Sequence, residues 1–382
     1  MRIAGIICEY NPLHLGHKKH MDFLRAQGYG IVCAMSGNFV QRGHPAIFDK
    51  MRRAEAAVRC GADLVLELPT PYALSSAEGF AAGGVDILSR LCDTLCFGAE
   101  DANSEKLMET AGALLSTEFS EKLRPQLDAG LSFPAARAKA LAEMGMDAAI
   151  LDTPNNILAV EYCKAIFAQG CAMDILPIYR GGSYHDEEAD AENPSATSLR
   201  NLLEKGEKWS SFVPDAAFSC FENAPIHSLK NGEKAILYRL RTMTDAEFET
   251  LPYGSEGLWR KLMHASREWN TLDEIIAATK SKRYTRTRID RMILCAFLGL
   301  QERDFKSPVP YCRVLAFNDT GRAILKEVRE SGFFVNIGED TRLPYQELEQ
   351  RATALYGLFT QKPEAPYAEA KYRVFYQRTD TK

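Results

Sequence analysis

The sequence predicts an α/β fold, with a Rossmann-like domain built on a parallel sheet and a mostly helical domain after it. Apolar runs of strand length alternate with segments of helical period through the first half of the chain, which is typical of a parallel sheet covered by helices. This alternation stops near residue 206. The 382 residues amount to about two domains of roughly 100–200 residues each. We therefore expect domains at 1–205 and 233–382, joined by a connector at 206–232.

The positions of apolar residues predict the individual elements. Segments 2–8 and 30–36 are almost continuously apolar, as expected of strands buried on both faces of a parallel sheet. Shorter strands are predicted at 63–68, 94–97 and 174–178, and helices between and after them at 17–27, 49–60, 76–91, 104–116, 133–143, 156–169 and 196–204. In the C-terminal part we expect helices at 233–241, 256–268, 272–279 and 287–300, and a small mixed element with strands at 312–317 and 332–337 around a helix at 321–330.

The composition is that of an ordinary globular protein, with 46% hydrophobic and 25% charged residues, which excludes disordered and fibrous classes. The net charge of −5 means that nucleic-acid binding requires a local basic patch. Ten isolated cysteines indicate reduced thiols, and their spacing does not fit a zinc site, so no metal site is predicted. No apolar run reaches the ~18 residues of a membrane span, and the N-terminal apolar stretch is too short for a signal peptide. We expect a cytoplasmic location.

The segment 8–17, CEYNPLHLGH, follows the first predicted strand and precedes a helix. It contains His14 and His17 in a His-x-Gly-His pattern. Gly16 allows the backbone to approach a ligand closely, and the free N–H groups of a helix start attract anions. Two imidazoles can donate to phosphate oxygens at the same place. Histidines at this spacing also occur as core or metal residues, but the position between strand and helix favours a triphosphate-binding loop.

His14 and His17 resemble the two histidines of the "HIGH"-type nucleotidyltransferase superfamily, whose members attack the α-phosphate of a nucleotide and release pyrophosphate. A second signature of that superfamily, Ser/Thr-x-Ser/Thr-x-x-Arg, matches Ser195, Thr197 and Arg200. Ser195 is also a suitable N-cap for the helix that follows. The two interpretations are compatible, because a capped helix start also binds phosphate.

Five longer blocks resemble the family of tRNA(Met) cytidine acetate ligases: EYNPLH at 9–14, MSGNFVQRG at 35–43, GADLVLELP at 61–69, FGAE at 97–100 and PNNIL at 154–158. The resemblance implies a two-step reaction. Acetate and ATP give acetyl-adenylate and pyrophosphate, and the acetyl group passes to N4 of the wobble cytidine of elongator tRNA(Met), forming N4-acetylcytidine. It implies ATP, Mg²⁺, acetate and this tRNA as ligands, with no DNA or membrane partner.

The resemblance also implies which residues contact ATP. They are Ile7, Cys8, Glu9, Tyr10, Asn11, Pro12, Leu13, His14, Leu15, Gly16, His17, Lys18, Lys19 and His20 in the first loop, with Gly98, Asn155 and Arg180 farther along. Simpler interpretations stay open for several of them. Gly98 could be a turn glycine, Asn155 or Asn156 a helix N-cap, and His20 a packing residue. Glu9 could orient a histidine or shape the acetate pocket.

Ligands of open α/β sheets bind beyond the carboxyl ends of the strands, which predicts a substrate pocket at Ser36, Gly37, Asn38 and Gln41. Acetate is an anion attacking an anionic phosphate, so the site needs fixed positive charge. Arg42, Lys50 and Arg200 are the candidates, and Lys50 could instead be a solvated lysine in the first turn of its helix. The predicted catalytic set is His14, His17, Arg42, Lys50, Thr197 and Arg200.

Segment 280–291 has six basic residues and one acidic residue, a net charge of +5 in an acidic protein. We expect RNA contacts from Lys282, Arg283, Tyr284, Arg286 and Arg288, with the tyrosine stacking on an unpaired base. A solvated helix start is the alternative. Two other functions compete with the ligase: a small-molecule adenylyltransferase or carboxylate ligase of the pantothenate-synthetase type, and an RNA-binding protein that senses ATP without turnover.

Overall fold

The computed structural model describes residues 1–180, 195–305, 308–335, 345–366 and 368–378. Within these ranges an eight-stranded sheet has the order β10-β8-β5-β2-β1-β6-β7, with β9 beside β8, and β3 and β4 form a separate hairpin. The strands are β1 (Ile3–Cys8), β2 (Gly30–Ser36), β3 (Phe39–Val40), β4 (His44–Pro45), β5 (Leu64–Leu68), β6 (Thr94–Ala99), β7 (Asp174–Tyr179), β8 (Cys312–Asn318), β9 (Phe334–Val335) and β10 (Phe375–Gln377).

Helices cover both faces of the sheet and build the C-terminal part. Those of the first half are α1 (Leu15–Ala26), α2 (Lys50–Arg59), α3 (Thr70–Ala73), α4 (Ala77–Leu88), α5 (Ser104–Leu114), α6 (Thr117–Asp128), α7 (Phe133–Glu143), α8 (Pro154–Gln169) and α9 (Ala196–Lys205). The others are α10 (Asp215–Phe221), α11 (Leu229–Thr242), α12 (Asp245–Glu249), α13 (Leu258–Glu268), α14 (Leu272–Thr279), α15 (Arg286–Leu298), α16 (Asp319–Glu327), α17 (Gln346–Tyr356) and α18 (Ala368–Lys371).

The five strands predicted for the first half are confirmed as β1, β2, β5, β6 and β7, which pair in parallel. β2 is buried along its whole length, and β1 is buried from its second residue onward, which explains their uninterrupted apolar sequences. Cys8 pairs with Met35 in the register of β1 and β2, so the two strands end side by side. Their carboxyl ends, with those of β6 and β7, define the edge where the predicted ligand residues gather.

The mixed element predicted near the C-terminus is not separate, because its strands extend the central sheet. β8 runs antiparallel to β5, with Val65 opposite Ala316, and β10 and β9 pair with β8. Helix α16 rests closely on this edge: a Cβ at Gly321 would lie 2.0 Å from the carbonyl oxygen of Asp63. Local sequence predicts that a strand exists, but its partner is set by tertiary packing, so this pairing was missed.

The C-terminal helices have their own apolar core, which includes Ile236, Leu262 and Ile293 and also takes in Phe39 from the first half of the chain. Residues 206–232, predicted as a connector, contain α10, which packs on α2. Phe221 of α10 stacks on Phe48 with ring centroids 4.5 Å apart. The segment therefore anchors the chain to the sheet. In the described part of the chain no helix has the length and apolarity needed to cross a membrane.

Candidate functional site

The loop between β1 and α1 holds its two histidines through their Nδ1 atoms. His14 is the N-cap of α1: its Nδ1 accepts from Gly16 N at 3.1 Å, while its own backbone N donates to His17 Nδ1 at 3.2 Å. The two rings stack with centroids 3.7 Å apart. Because each Nδ1 accepts, each neutral ring carries its proton on Nε2. The buried His14 Nε2 has no partner among the described residues, so a donor is left for a ligand.

The histidines of this loop are neutral. Burial, with the charges of Arg180 and Arg200, lowers the pKa of His14 to about 3, and burial with Arg180 lowers the pKa of His20 to about 4. The pKa of His17 is lowered well below its usual value, mainly by burial. The positive charge offered to an anion therefore comes from the two arginines, and the imidazoles contribute directed N–H groups.

The other residues of the first loop differ in how far their side chains are buried. The side chains of Ile7, Cys8, Tyr10 and Leu13 are buried in the core, so the backbone is what they can present to a ligand. Lys18 pairs with Asp22 one turn along α1, and Lys19 is exposed. His20 has its Nε2 3.0 Å from Cys96 Sγ, which places this ring against β6.

The second motif is joined directly to the first loop. Ser195 caps α9, as predicted, with its hydroxyl accepting from Ser198 N at 3.0 Å. Arg200 donates through Nη2 to Thr197 Oγ1 at 3.0 Å and through Nη1 to the carbonyl oxygen of Asn11 at 2.8 Å. The structure thus brings together two motifs that lie about 180 residues apart in the sequence.

Gly98 and Arg180 lie at the ends of neighbouring strands. Gly98 is inside β6, opposite Ile178 of β7, so the turn-glycine interpretation is wrong. Arg180 follows β7, donates its backbone N–H to the carbonyl oxygen of Ala99 at 2.8 Å, and is exposed. A Cβ at Gly98 would make ordinary contact with the Arg180 side chain, 3.6 Å from Cδ. The two residues therefore border one surface at this end of the sheet.

Glu100 accepts the hydrogen bonds of polar groups at the start of α8. No role was predicted for this residue from the sequence. Its carboxylate accepts from Thr153 Oγ1 at 2.9 Å, from Asn155 Nδ2 at 2.7 Å and from Asn156 N at 2.9 Å. The N-cap position is Thr153, so the interpretation of Asn155 or Asn156 as the N-cap is wrong. Asn155 is fixed beside the end of β6 by this carboxylate.

The predicted substrate-pocket residues follow β2. Ser36 is fully buried, and its hydroxyl has no hydrogen-bond partner in the described ranges. Gln41 donates its backbone N–H to Glu9 Oε1 at 2.8 Å, so Glu9 is held by this loop and not by a histidine. Asn38 has a bracing role, because its amide contacts Thr353 Oγ1 at 3.1 Å and Lys50 N at 3.0 Å.

Lys50 does not match either predicted role. Its side chain is fully buried, and Nζ lies 2.6 Å from Glu67 Oε1 and 2.8 Å from Glu369 Oε1. Burial lowers its pKa, and the charge of Glu67 opposes that shift. Arg313 also pairs with Glu369. Because its ammonium group is committed to two carboxylates, Lys50 belongs to a closed ionic cluster and is removed from the catalytic set.

The basic segment is less uniform than its sequence suggests. Tyr284 is buried and donates its hydroxyl to the carbonyl oxygen of Glu256 at 2.5 Å, so its predicted stacking on a base is wrong. Arg288 is half-buried and donates to the carbonyl oxygen of Tyr253 at 3.0 Å. Lys282, Arg283 and Arg286 are exposed, although Arg283 pairs with Glu256 at 3.1 Å and Arg286 lies 3.5 Å from Asp290.

The loop after β2 connects the two histidines to this basic segment. Gly43, with φ +82, rests on α15, where a Cβ would lie 2.6 Å from Arg291 N. Arg291 donates to the carbonyl oxygen of Gln41 at 3.2 Å. The half-buried Arg42, with Arg200 and Arg286, also lowers the pKa of His44, after burial. This junction was not predicted from the sequence, although a glycine at position 43 is a signal for such a close approach.

Comparisons with known proteins agree on one family. A family model described as HIGH Nucleotidyl Transferase matches residues 1–371. A protein of Clostridium novyi named tRNA(Met) cytidine acetate ligase is 39% identical over 86% of this chain and 88% of its own length. The crystal structure of Thermotoga maritima TmcAL without ligand matches with a TM-score of 0.92 at 29% identity, covering 99% of this chain and all of that one. A second crystal form, bound with alpha-thio ATP, matches with a TM-score of 0.88 at 28% identity over the same shares.

Proposed function

This chain belongs to the HIGH nucleotidyltransferases and, within them, to the tRNA(Met) cytidine acetate ligases, and we propose that it joins acetate to N4 of the wobble cytidine of elongator tRNA(Met) at the expense of ATP. In the first step an acetate oxygen attacks the α-phosphorus of ATP, and pyrophosphate leaves with the bonding electron pair. In the second step N4 of the cytidine attacks the acetyl carbon of acetyl-adenylate, and AMP leaves.

The observation that carries this proposal is a pair of stacked, neutral imidazoles whose Nδ1 atoms both accept from the backbone, with the buried Nε2–H of His14 left without a partner among the described residues. In the first step negative charge shifts onto phosphate oxygens, and fixed N–H donors in a buried site stabilise such charge without reorganising. His14 supplies one such donor, and the Nε2–H of the stacked His17 ring is proposed as a second. Arg200 and Arg180 supply the positive charge that the neutral rings lack. After burial, the charges of these two arginines also lower the pKa of His14.

ATP is proposed to enter as its magnesium complex. The described residues include no group of three or more His, Cys, Asp or Glu side chains that could hold a metal ion. The two-histidine loop offers N–H donors, which suit phosphate oxygens. Phosphate oxygens and water therefore supply the ligands that Mg²⁺ prefers, and the ion neutralises part of the phosphate charge.

The tRNA is proposed to approach across the exposed Lys282 and Arg283, just before α15, and the exposed Arg286, its first residue. The loop at 41–43 packs on the same helix and reaches Glu9 of the nucleotide loop. A basic surface next to the nucleotide site favours an RNA acceptor over the small acceptors of pantothenate-synthetase-type ligases.

The test is the transfer of radiolabelled acetate into tRNA by the purified protein with ATP and Mg²⁺. The substrate is an unmodified elongator tRNA(Met) transcript, and the matched control is the same transcript with uridine in place of the wobble cytidine. We expect label in the first and none in the second. Label in both would contradict the proposed site on the RNA.

Acetate-dependent exchange of pyrophosphate into ATP, measured without RNA, separates the remaining alternatives. Exchange without transfer to any tRNA would favour a carboxylate ligase with a small acceptor. ATP binding with neither exchange nor transfer would favour the RNA-binding protein that senses ATP.

A further inference from the structure

Glu9 places a carboxylate in the nucleotide loop. Neither the binding of ATP nor the binding of acetate explains a negative charge at this position. Glu9 follows β1 and is partly exposed. Its Oε1 accepts from Gln41 N at 2.8 Å, and its Oε2 has no hydrogen-bond partner in the part of the chain that the structure describes. Acetate and the phosphates are anions, so a fixed carboxylate repels both. A ligand with N–H donors is what this group suits.

Ser36 provides a second unused polar group at the same place. Cys8, the last residue of β1, pairs with Met35, so Glu9 directly follows the end of β1 that lies next to Ser36, the last residue of β2. Side chains alternate along a strand, so Ser36 lies on the same face of β2 as Ala34, which belongs to one apolar cluster with Ile7 and Tyr162 of α8. The Ser36 hydroxyl is buried without a partner among the described residues, which indicates a polar ligand.

Arg53 fixes the spacing of the two strand ends. It is fully buried, and its guanidinium donates to the carbonyl oxygens of Glu9, at 2.5 Å, and of Gly37. The Glu9 carboxylate also acts on α8, because its charge adds to burial in raising the pKa of Tyr162. Glu9 and Ser36 are thus held at one end of the sheet, between the two-histidine loop and α8.

We propose that the Glu9 carboxylate binds the exocyclic amine of the acceptor cytosine and takes its proton during acetyl transfer, while the Ser36 hydroxyl donates to the adjacent ring nitrogen. Cytosine presents its N4 amine as a donor, and carboxylates are the side chains that accept from it. Enzymes that modify a base read its pairing edge with such groups once it is unstacked. The proposal rests on the function proposed above.

In the transfer step one bond forms at the acetyl carbon and one bond breaks there. The lone pair of N4 forms a bond to the acetyl carbon, and one N4 proton moves to Glu9 Oε2. The bond between the acetyl carbon and the phosphate oxygen breaks, and AMP leaves with that electron pair. The products are N4-acetylcytidine, AMP and a protonated Glu9, which returns its proton to water.

The experiment compares the two half-reactions in Glu9→Gln. The glutamine amide oxygen can still accept from Gln41 N, so the loop is conserved, but the base is removed. General-base catalysis contributes about 10²–10⁴-fold, and we expect a loss in that range for single-turnover transfer from acetyl-adenylate to tRNA. Acetate-dependent pyrophosphate exchange should fall at least ten times less. Glu105→Gln, an exposed glutamate of α5, is the matched control.

Ser36→Ala should weaken transfer less than Glu9→Gln, because it removes a donor and not the base. Equal losses of exchange and transfer in Glu9→Gln would assign Glu9 to acetate activation and overturn the proposal. Transfer at the wild-type rate would overturn it as well. If the wild-type protein transfers no acetate to tRNA, the proposed function itself fails, which is a different result from either of these.

Discussion

Two buried polar clusters lie at the same sheet and are built in opposite ways. Around Lys50, the charges of Glu67, Glu369 and Arg313 are paired within the chain, and each of these side chains is almost fully buried. Around His14, the imidazoles are neutral and a buried N–H donor has no partner among the described residues. The charges of the first cluster are paired within the chain, whereas the second offers a donor that, under the proposed function, a ligand accepts from.

The difference separates two reasons for a polar residue to be buried. A closed ionic cluster costs desolvation and tolerates the loss of a partner badly, so it affects folding. A donor left without a partner costs stability and is retained for what it binds, so it affects function. Replacing Lys50 should therefore change the free energy of unfolding, and replacing His14 should change catalysis.

The largest expected effect is on stability. Lys50→Met removes one of the two cations that Glu67 and Glu369 share, the other being Arg313. Breaking a buried pair costs about 3–5 kcal/mol. Urea unfolding of the purified variant measures this loss. The matched control is Arg59→Ala on the same helix, whose exposed pair with Glu55 is worth at most about 1 kcal/mol. A Lys50→Met protein of wild-type stability that has lost pyrophosphate exchange would return Lys50 to the catalytic set.

The second effect is kinetic. His14→Ala removes the Nε2–H donor, and the loss of one such donor lowers the rate by about 10²–10³-fold. Acetate-dependent pyrophosphate exchange measures it. Because His14 is also the N-cap of α1, the free energy of unfolding should fall by about 0.5–2 kcal/mol, less than for Lys50→Met. His264→Ala, an exposed histidine of α13, is the control. Full exchange activity in His14→Ala would contradict the assignment of this loop to the phosphates.

A third effect is the pH dependence of stability that comes from Glu349, a buried carboxylate that interacts with Glu67 and Lys50 of the closed cluster. Burial and the charge of Glu67 raise the pKa of Glu349 to about 7, while Lys50 lowers it. Because the folded pKa exceeds the unfolded one, this contribution to stability is complete below about pH 4.5 and is lost as the pH rises through 7. Because of this group, the free energy of unfolding should be roughly 2–3 kcal/mol higher at pH 5 than at pH 8.

Glu349→Gln tests the source of that difference. The glutamine can keep both contacts to Thr70, whose N and Oγ1 now lie 2.6 and 2.7 Å from the carboxylate oxygens. We expect the variant to lose most of the change in stability between pH 5 and pH 8. An unchanged pH dependence would assign it to another group.

The features of the structure that depend on local sequence pattern were predicted best. The five parallel strands and the cap at Ser195 follow from periodicity and N-cap chemistry. That the two histidines and Arg200 belong to one site was predicted from the resemblance to the nucleotidyltransferase superfamily. Lys50 and Tyr284 were misassigned because burial decides their roles, and burial depends on segments far away in the sequence. Lys50 needs Glu369, which is 319 residues distant, and Tyr284 needs Glu256. The addition of β8 to β5 was missed for the same reason.

The smallest effects concern the basic segment, where exposure separates Lys282 from Tyr284. Lys282→Ala should weaken tRNA binding at low salt and reduce the slope of log affinity against log salt by about 1, because it removes one phosphate contact. Tyr284→Phe should cost about 1 kcal/mol of stability through the lost bond to Glu256 and leave the affinity for tRNA unchanged. Filter binding over a salt series measures both variants. The opposite result would be a loss of tRNA affinity in Tyr284→Phe and an unchanged salt slope in Lys282→Ala. Because the Tyr284 hydroxyl is buried, that result would mean that this segment rearranges to bring the tyrosine to the RNA.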